Sequence, residues 1–176
     1  MSSENPSGAD NQQERLLTND WLVGFVDGEG CFSVPIFRNR STSLGWQVQP
    51  AFAVVQGASS REALDAMVPF FGCGKVYINR RRDNHREHLC RYYVSRFGDL
   101  RDVIVPFFQD HSLRTAKRDN FVKFAEVVAL MDLRRHLTVP GLIEIAEIAQ
   151  TMNRQKPRTD LIRILRGHTP NIHDSG

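Results

Sequence analysis

Apolar positions along the chain switch between two periods, and the switches mark out its elements. Residues 21–26, Trp-Leu-Val-Gly-Phe-Val, would be apolar on nearly every side of a helix. They predict a short buried helix over residues 20–28, capped by Asn19 or Asp20. A period of two follows. Phe32, Val34 and Ile36 alternate with Ser33, Pro35 and Phe37, and this strand continues toward Arg38 and Arg40. After a turn-rich stretch at 39–45, Val48, Pro50, Phe52 and Val54 alternate with Gln47, Gln49, Ala51 and Ala53, with Pro50 marking an irregularity or an edge. Residues 59–71 return to helical spacing through Leu64, Met67, Val68 and Phe71, until Gly72-Cys73-Gly74 breaks the run. A second hairpin is expected over 75–82 and 89–96, around a polar tip at 83–87. Three helices close the pattern at 100–108, 116–133 and 140–152, the last with Thr138 as its cap and Pro140 in its first turn.

The order αββαββα plus C-terminal helices defines an α+β fold. Because strands come in hairpin pairs, the four-stranded sheet is expected to be mixed but mainly antiparallel, with helices stacked on one face. The other face then carries the polar set: Ser33, Phe37, Asn39, Gln47, Gln49, Lys75, Tyr77, Asn79, Arg81, Arg91 and Tyr93, with Arg38, Arg40, Arg80 and Arg82 near the strand ends.

Charge sharpens that picture. The chain of 176 residues carries a net +3, but residues 31–97 hold ten Lys/Arg against four Asp/Glu, so the basic middle looks like an anion-binding face. At 41% hydrophobic and 24% charged residues, the composition is that of an ordinary one-domain protein. No apolar run approaches the roughly 20 residues that span a bilayer, so no membrane partner is expected. The first 17 residues read as a polar leader without an apolar signal core, which gives no indication of secretion. Cys31, Cys73 and Cys90 are odd in number and lack metal-ligand spacing, which suits free thiols in an intracellular, reduced setting. His85 and His88 have no matching Cys/His pair to complete a zinc site, and no GK[ST] loop is present.

The puzzle lies at residues 27–30, Asp-Gly-Glu-Gly, where two carboxylates stand at the end of an apolar helix. A carboxylate at a helix C-terminus faces the negative end of the macrodipole. A divalent cation would compensate, and Mg²⁺ typically takes one or two carboxylates and fills its other positions with water and phosphate oxygens.

WLVGFVDGEG followed by a strand resembles the signature of the LAGLIDADG homing endonucleases, and the likeness runs on through FFGCGKVYI, SLRTAKRDNF and HLTVPGLIEIAEIAQTMN, over roughly residues 18–153. The resemblance implies a site-specific DNA endonuclease whose sheet forms a saddle on double-stranded DNA. Glu29 is then the metal-binding acid, joined by the Gly28 carbonyl. Gln56 lies near the attacking water and Lys117 near the scissile phosphate. Ala116 stands where relatives often have another lysine, so the lysine's register is open by one or two residues, with Arg114 as the alternative. Asp27 takes a local hydrogen-bonding role. The expected cofactor is Mg²⁺, with Mn²⁺ or Ca²⁺ as other divalent ions. Only one copy of the signature is present, which implies a homodimer whose interface includes Trp21, Leu22, Gly24, Phe25, Asp27 and Gly28, and a pseudo-palindromic target. The family likeness also leaves open a non-cleaving binder of intron RNA or DNA. The compartment, bacterial cytoplasm or organelle, stays open, as does the role of the tail at 154–176: either a DNA-backbone contact or a last helix.

Overall fold

The computed structural model describes residues 17–80, 87–153 and 159–167. Helix α1 (Asn19–Glu29) runs directly into strand β1 (Gly30–Ser33), followed by β2 (Ile36–Arg38), β3 (Trp46–Val48) and β4 (Ala51–Gly57). A 3-10 turn (Ala58–Ser60) enters α2 (Arg61–Phe71), which leads to β5 (Lys75–Asn79) and β6 (Leu89–Val94). Next come α3 (Phe97–Asp99), a π turn (Leu100–Ile104) and α4 (Val105–Asp110). Helices α5 (Lys117–Asp132), α6 (Val139–Gln150) and α7 (Thr159–Arg166) complete the described elements.

The four-stranded sheet has the order β1-β4-β6-β5, and every pairing is antiparallel. The α+β class is as expected, without the mixed pairing. Phe32, Phe52, Val54, Tyr92 and Val94 are buried on the helix side. Phe32 is the hub, with ring centroids 5.0 Å from Phe52, 5.4 Å from Phe108, 5.2 Å from Phe121 and 5.3 Å from Phe124. Sheet, α4 and α5 therefore share one aromatic core. Between α2 and β5 the chain reverses through Gly72 at φ +65° and Gly74 at φ +80°. A Cβ on Gly74 would also run into the Tyr92 ring at 2.7 Å, so only glycine serves there. The π turn has a local cause. Pro106 has no N–H to return to residue 102, and the Val105 N–H reaches back five residues to the Leu100 carbonyl.

The first hairpin departs from expectation in one respect. Its arms are not continuous strands but two ladders, β1–β4 and β2–β3, separated at residues 34–35 and 49–50. Both ladders nevertheless keep one register: Ser33 faces Ala51, and Ile36 faces Val48. Pro35 and Pro50 supply no N–H, so the joint keeps a hydrogen bond from Gln49 N to Pro35 O at 3.0 Å but lacks a full set.

One boundary also differs. Thr18, not Asn19 or Asp20, caps α1, its hydroxyl accepting from the Trp21 N–H at 3.2 Å. Thr138 caps α6 as expected, accepting from Gly141 N–H at 3.2 Å. Residues 159–166 form a last helix that buries Leu161, Ile162 and Leu165, with Arg166 paired to Glu147 on α6 at 2.6 Å. No helix among the described residues is long and apolar enough to cross a membrane.

Candidate active site

Helix α1 ends against the turn that starts α5. The Asp27 carboxylate accepts three hydrogen bonds from that turn: from Arg114 N–H at 2.8 Å, Thr115 N–H at 3.2 Å and the Thr115 hydroxyl at 2.8 Å. Thr115 in turn accepts from the Lys117 N–H at 3.2 Å, fixing the first residue of α5. The Lys117 ammonium then donates to two α1 carbonyls, Val26 at 3.0 Å and Gly28 at 3.1 Å. A cation at a helix C-terminus offsets the macrodipole, and here it also bonds the last-turn carbonyls directly. Gly30 makes the immediate exit into β1 possible, because a Cβ there would lie 2.5 Å from a Val26 methyl.

Burial pushes the Lys117 pKa below the ordinary lysine value, opposed by Cys31, Asp27 and Glu29. Burial raises the Asp27 pKa, but the bonds from Arg114 and Thr115 outweigh it, and the carboxyl ends below its usual range. A carboxylate depressed in the folded state contributes stability that is full above its unfolded pKa and lost as pH falls through the folded one. Wild type is therefore expected to lose more thermal stability than Asp27→Asn between about pH 5 and 3. Melting curves of the two proteins across that range would check it; parallel curves would count against the tie.

Glu29 is exposed, and its carboxylate makes no hydrogen bond or ion pair among the described residues. Gln56 lies on β4 two residues beyond Val54, which pairs with Gly30, so the register carries it past the start of β1 and alongside the end of α1. The structure thus brings Glu29, Gly28 and Lys117 to one end of α1, with Gln56 on the strand that neighbours β1. It is Lys117, not Arg114, whose side chain reaches that end; Arg114 contributes its backbone N–H. Thr115 was not singled out by sequence, although a hydroxyl two residues before a helix start is a recognisable capping signal.

The donor chemistry suits a hard divalent cation: an exposed carboxylate and a backbone carbonyl at the negative end of a helix, with open space where a Gly28 side chain would stand. No group of three His, Cys, Asp or Glu among the described residues would hold a metal by itself.

The outward face of the sheet carries most of the expected polar set. Rows of paired residues run Cys31–Ala53–Tyr93–Lys75 and Val55–Arg91–Tyr77 across it. Lys75, Tyr77, Asn79, Arg80 and Arg91 are exposed, and Ser33 and Tyr93 half-buried. The Arg91 guanidinium lies over the Tyr93 ring at 4.1 Å, and Arg38 over Trp46 at 4.1 Å. On the β2–β3 ribbon, Phe37, Arg38 and Arg40 are exposed, while Gln47 and Gln49 are partly covered. Asn39 is occupied within the turn: its amide donates to Gln47 at 2.6 Å and its oxygen accepts from Ser41 N–H at 3.0 Å. Arg81 and Arg82 lie outside the described residues, as does His85.

Within this chain α1 is not buried all round, as its composition suggested. Leu22, Val23 and Val26 face the core, but Trp21, Gly24 and Gly28 are exposed and Phe25 is half-covered. Spacing of three and four residues puts those four on one stripe. Two of the expected interface residues have partners within the protomer. Leu22 is fully buried in its own core, and Asp27 is engaged by its own α5 turn.

The profile of the LAGLIDADG endonuclease family matches residues 22–128, and the chain belongs to that family. It is 31% identical over 140 residues, 78% of this chain and 25% of the relative, to "Probable intron-encoded endonuclease 3" of Neurospora crassa. Homing endonuclease I-ApeII of Aeropyrum pernix is 27% identical over 126 residues, 72% of this chain and 71% of the relative. Among solved structures, the homing endonuclease I-TnaI superimposes with a TM-score of 0.72 at 37% identity, covering 86% of this chain and 97% of that one. I-SmaMI bound to uncleaved DNA target in the presence of calcium ions gives 0.75 at 28% identity, covering 88% of this chain and 50% of that one. The chain spans 25–49% of the length of the first three curated relatives it matches.

Proposed function

We propose that this protein is a site-specific DNA endonuclease, dependent on Mg²⁺ or a related divalent ion, that acts as a homodimer and makes a staggered double-strand break. The observation that carries this reading is the exposed carboxylate of Glu29 at the end of α1, beside Lys117 and with Gln56 on the neighbouring strand β4. Glu29 and the Gly28 carbonyl would hold the ion. When bound, it supplies Lewis-acid stabilisation of the phosphodiester and a more acidic water. Gln56 would orient the attacking water, and Lys117 would stabilise charge on the scissile phosphate.

Recognition fits the sheet's open face. A two-stranded ribbon enters the B-DNA major groove, where all four base pairs differ in their donors and acceptors. Strand β4 is seven residues long, roughly 23 Å. It would track only part of a helical turn, and the β2–β3 ribbon would extend the reach beyond the proline joint. I-SmaMI and I-LtrWI have been crystallised on DNA, which favours the same partner here.

The stripe Trp21, Gly24, Phe25 and Gly28 supports a second copy as the missing half, its own Glu29 acting on the other strand. Trp21 and Phe25 stack at 4.8 Å, presenting an aromatic surface beside two glycines. A Cβ at Gly24 or Gly28 meets nothing within 4 Å in the protomer. Gly24→Leu is therefore expected to leave the protomer folded, even slightly more stable, since glycine costs a helix interior about 1 kcal/mol. The same variant should sediment as a monomer and fail to cut. A dimeric, active Gly24→Leu would place the interface elsewhere.

The test of the function is a cleavage assay on a genomic or randomised DNA pool, with Mg²⁺ and with EDTA, followed by sequencing of the ends. Paired staggered cuts that need the metal are expected. DNA retained but never cut would favour a non-cleaving binder, and intron RNA would be the next substrate to try.

A further inference from the structure

We propose that Lys117 is a stand-in cation, holding the Gly28 carbonyl in the metal-free enzyme and giving it up when a divalent ion arrives. The inference deepens the metal-dependent reading above and rests on it. At the end of α1 negative potential accumulates from three sources: the last-turn carbonyls, Asp27 and Glu29. Among the described residues the Lys117 ammonium is the one cation bonded there, at 3.0 Å from Val26 O and 3.1 Å from Gly28 O. Gly28 O is also the backbone donor that accompanies Glu29 in the proposed metal site. Val26 O is already used by the Gly30 N–H. The two cations therefore contend for one carbonyl and repel each other across it.

Release needs no change in the fold. Asp27 holds the Arg114 and Thr115 N–H groups, and Thr115 holds the Lys117 N–H, so the start of α5 stays fixed when the ammonium leaves. Only the four-carbon stem swings, and its length allows the charge to reach a neighbouring phosphate. Lys117 would thus be locked away from substrate until the metal is loaded, which imposes an order on assembly of the site.

The experiment measures acylation of Lys117 in the intact wild-type protein by peptide mass spectrometry, with Lys75 and Lys123 as internal references. It is run without divalent ions, with Ca²⁺, and with hexaamminecobalt(III), a cation that cannot coordinate a carbonyl directly. Glu29→Gln is treated in parallel, and Ca²⁺ binding is followed by calorimetry. Ca²⁺ is expected to raise Lys117 labelling several-fold in wild type, with no change in Glu29→Gln or with the cobalt complex. Calorimetric Ca²⁺ binding that depends on Glu29, without a rise in Lys117 labelling, overturns the exchange and leaves the metal site standing. An equal rise with hexaamminecobalt(III) also overturns it, because charge screening would then account for the effect. No Ca²⁺ binding by wild type overturns the metal site and the exchange together.

Discussion

Glu29→Gln is expected to lower the cleavage rate by about a thousandfold or more while leaving DNA affinity nearly unchanged. The substitution keeps the shape and removes the charge. The proposed site then loses its exposed acid at the end of α1, and a metal ion's contribution of several kcal/mol corresponds to about three powers of ten in rate. In the proposed complex, DNA affinity would come mainly from lysine and arginine on phosphates and from the open sheet face, neither of which the change touches. The same variant should fold slightly better, by a few tenths to about 1 kcal/mol, because a carboxylate leaves the negative end of a helix. Matched single-turnover cleavage, filter binding and melting would test all three. A variant that still cuts at the wild-type rate in Mg²⁺ would remove Glu29 from the chemistry.

Phe32→Ala is expected to cost about 3–5 kcal/mol of stability, the range for emptying a buried phenylalanine site. That is a large share of the roughly 5–15 kcal/mol that holds an ordinary domain together. Phe32 is fully buried and its ring packs on Phe52, Phe108, Phe121 and Phe124. Those rings come from β4, α4 and α5, so one truncation loosens the sheet from two helices at once. Phe32 also stands three residues after Glu29, and its removal should blunt the site as well as the fold. Urea unfolding at fixed protein concentration would measure the loss. Phe37→Ala provides the contrast: with 40% of its surface exposed, it should change stability by no more than about 0.5 kcal/mol. Equal losses for the two would show that the aromatic cluster is not the centre of the core.

Much of this was legible from local pattern. The period-two runs gave the strands, because burial on one face forces alternation. The Asp-Gly-Glu-Gly sequence stood out because acids at a helix end need an explanation. Thr138 and Pro140 marked the start of α6 by local chemistry alone. What stayed hidden depends on partners distant in sequence. Lys117 Nζ meets Val26 O across 91 residues, and no periodicity encodes that contact. Sequence left the choice between Lys117 and Arg114 open because a shift of a few residues on a helix start changes which side chain points inward. The open stripe of α1 was hidden from composition alone, and only the family resemblance put Trp21, Gly24, Phe25 and Gly28 at an interface. Hydrophobicity does not say whether the apolar neighbour belongs to the same chain. Asn39 read as a groove contact, yet the turn itself uses its amide and its oxygen.

The two prolines of the first hairpin bear on how such a protein changes its target over generations. Because β2–β3 keeps the register of β1–β4, side chains on the distal ribbon alternate in step with those on the sheet. Because Pro35 and Pro50 have no N–H to give, the ribbon is expected to bend at the joint with little pull on Phe32 or on the end of α1. Substitutions at Phe37, Arg38 or Gln47 would then be tried by selection against new DNA sequences at little cost to the chemistry. Insertion of a single residue before the joint would be another matter, since it would turn every later side chain of that strand to the opposite face. On the proposed function the hairpin would be divided by inheritance: a conservative half that carries the reaction, and an experimental half that follows the genome.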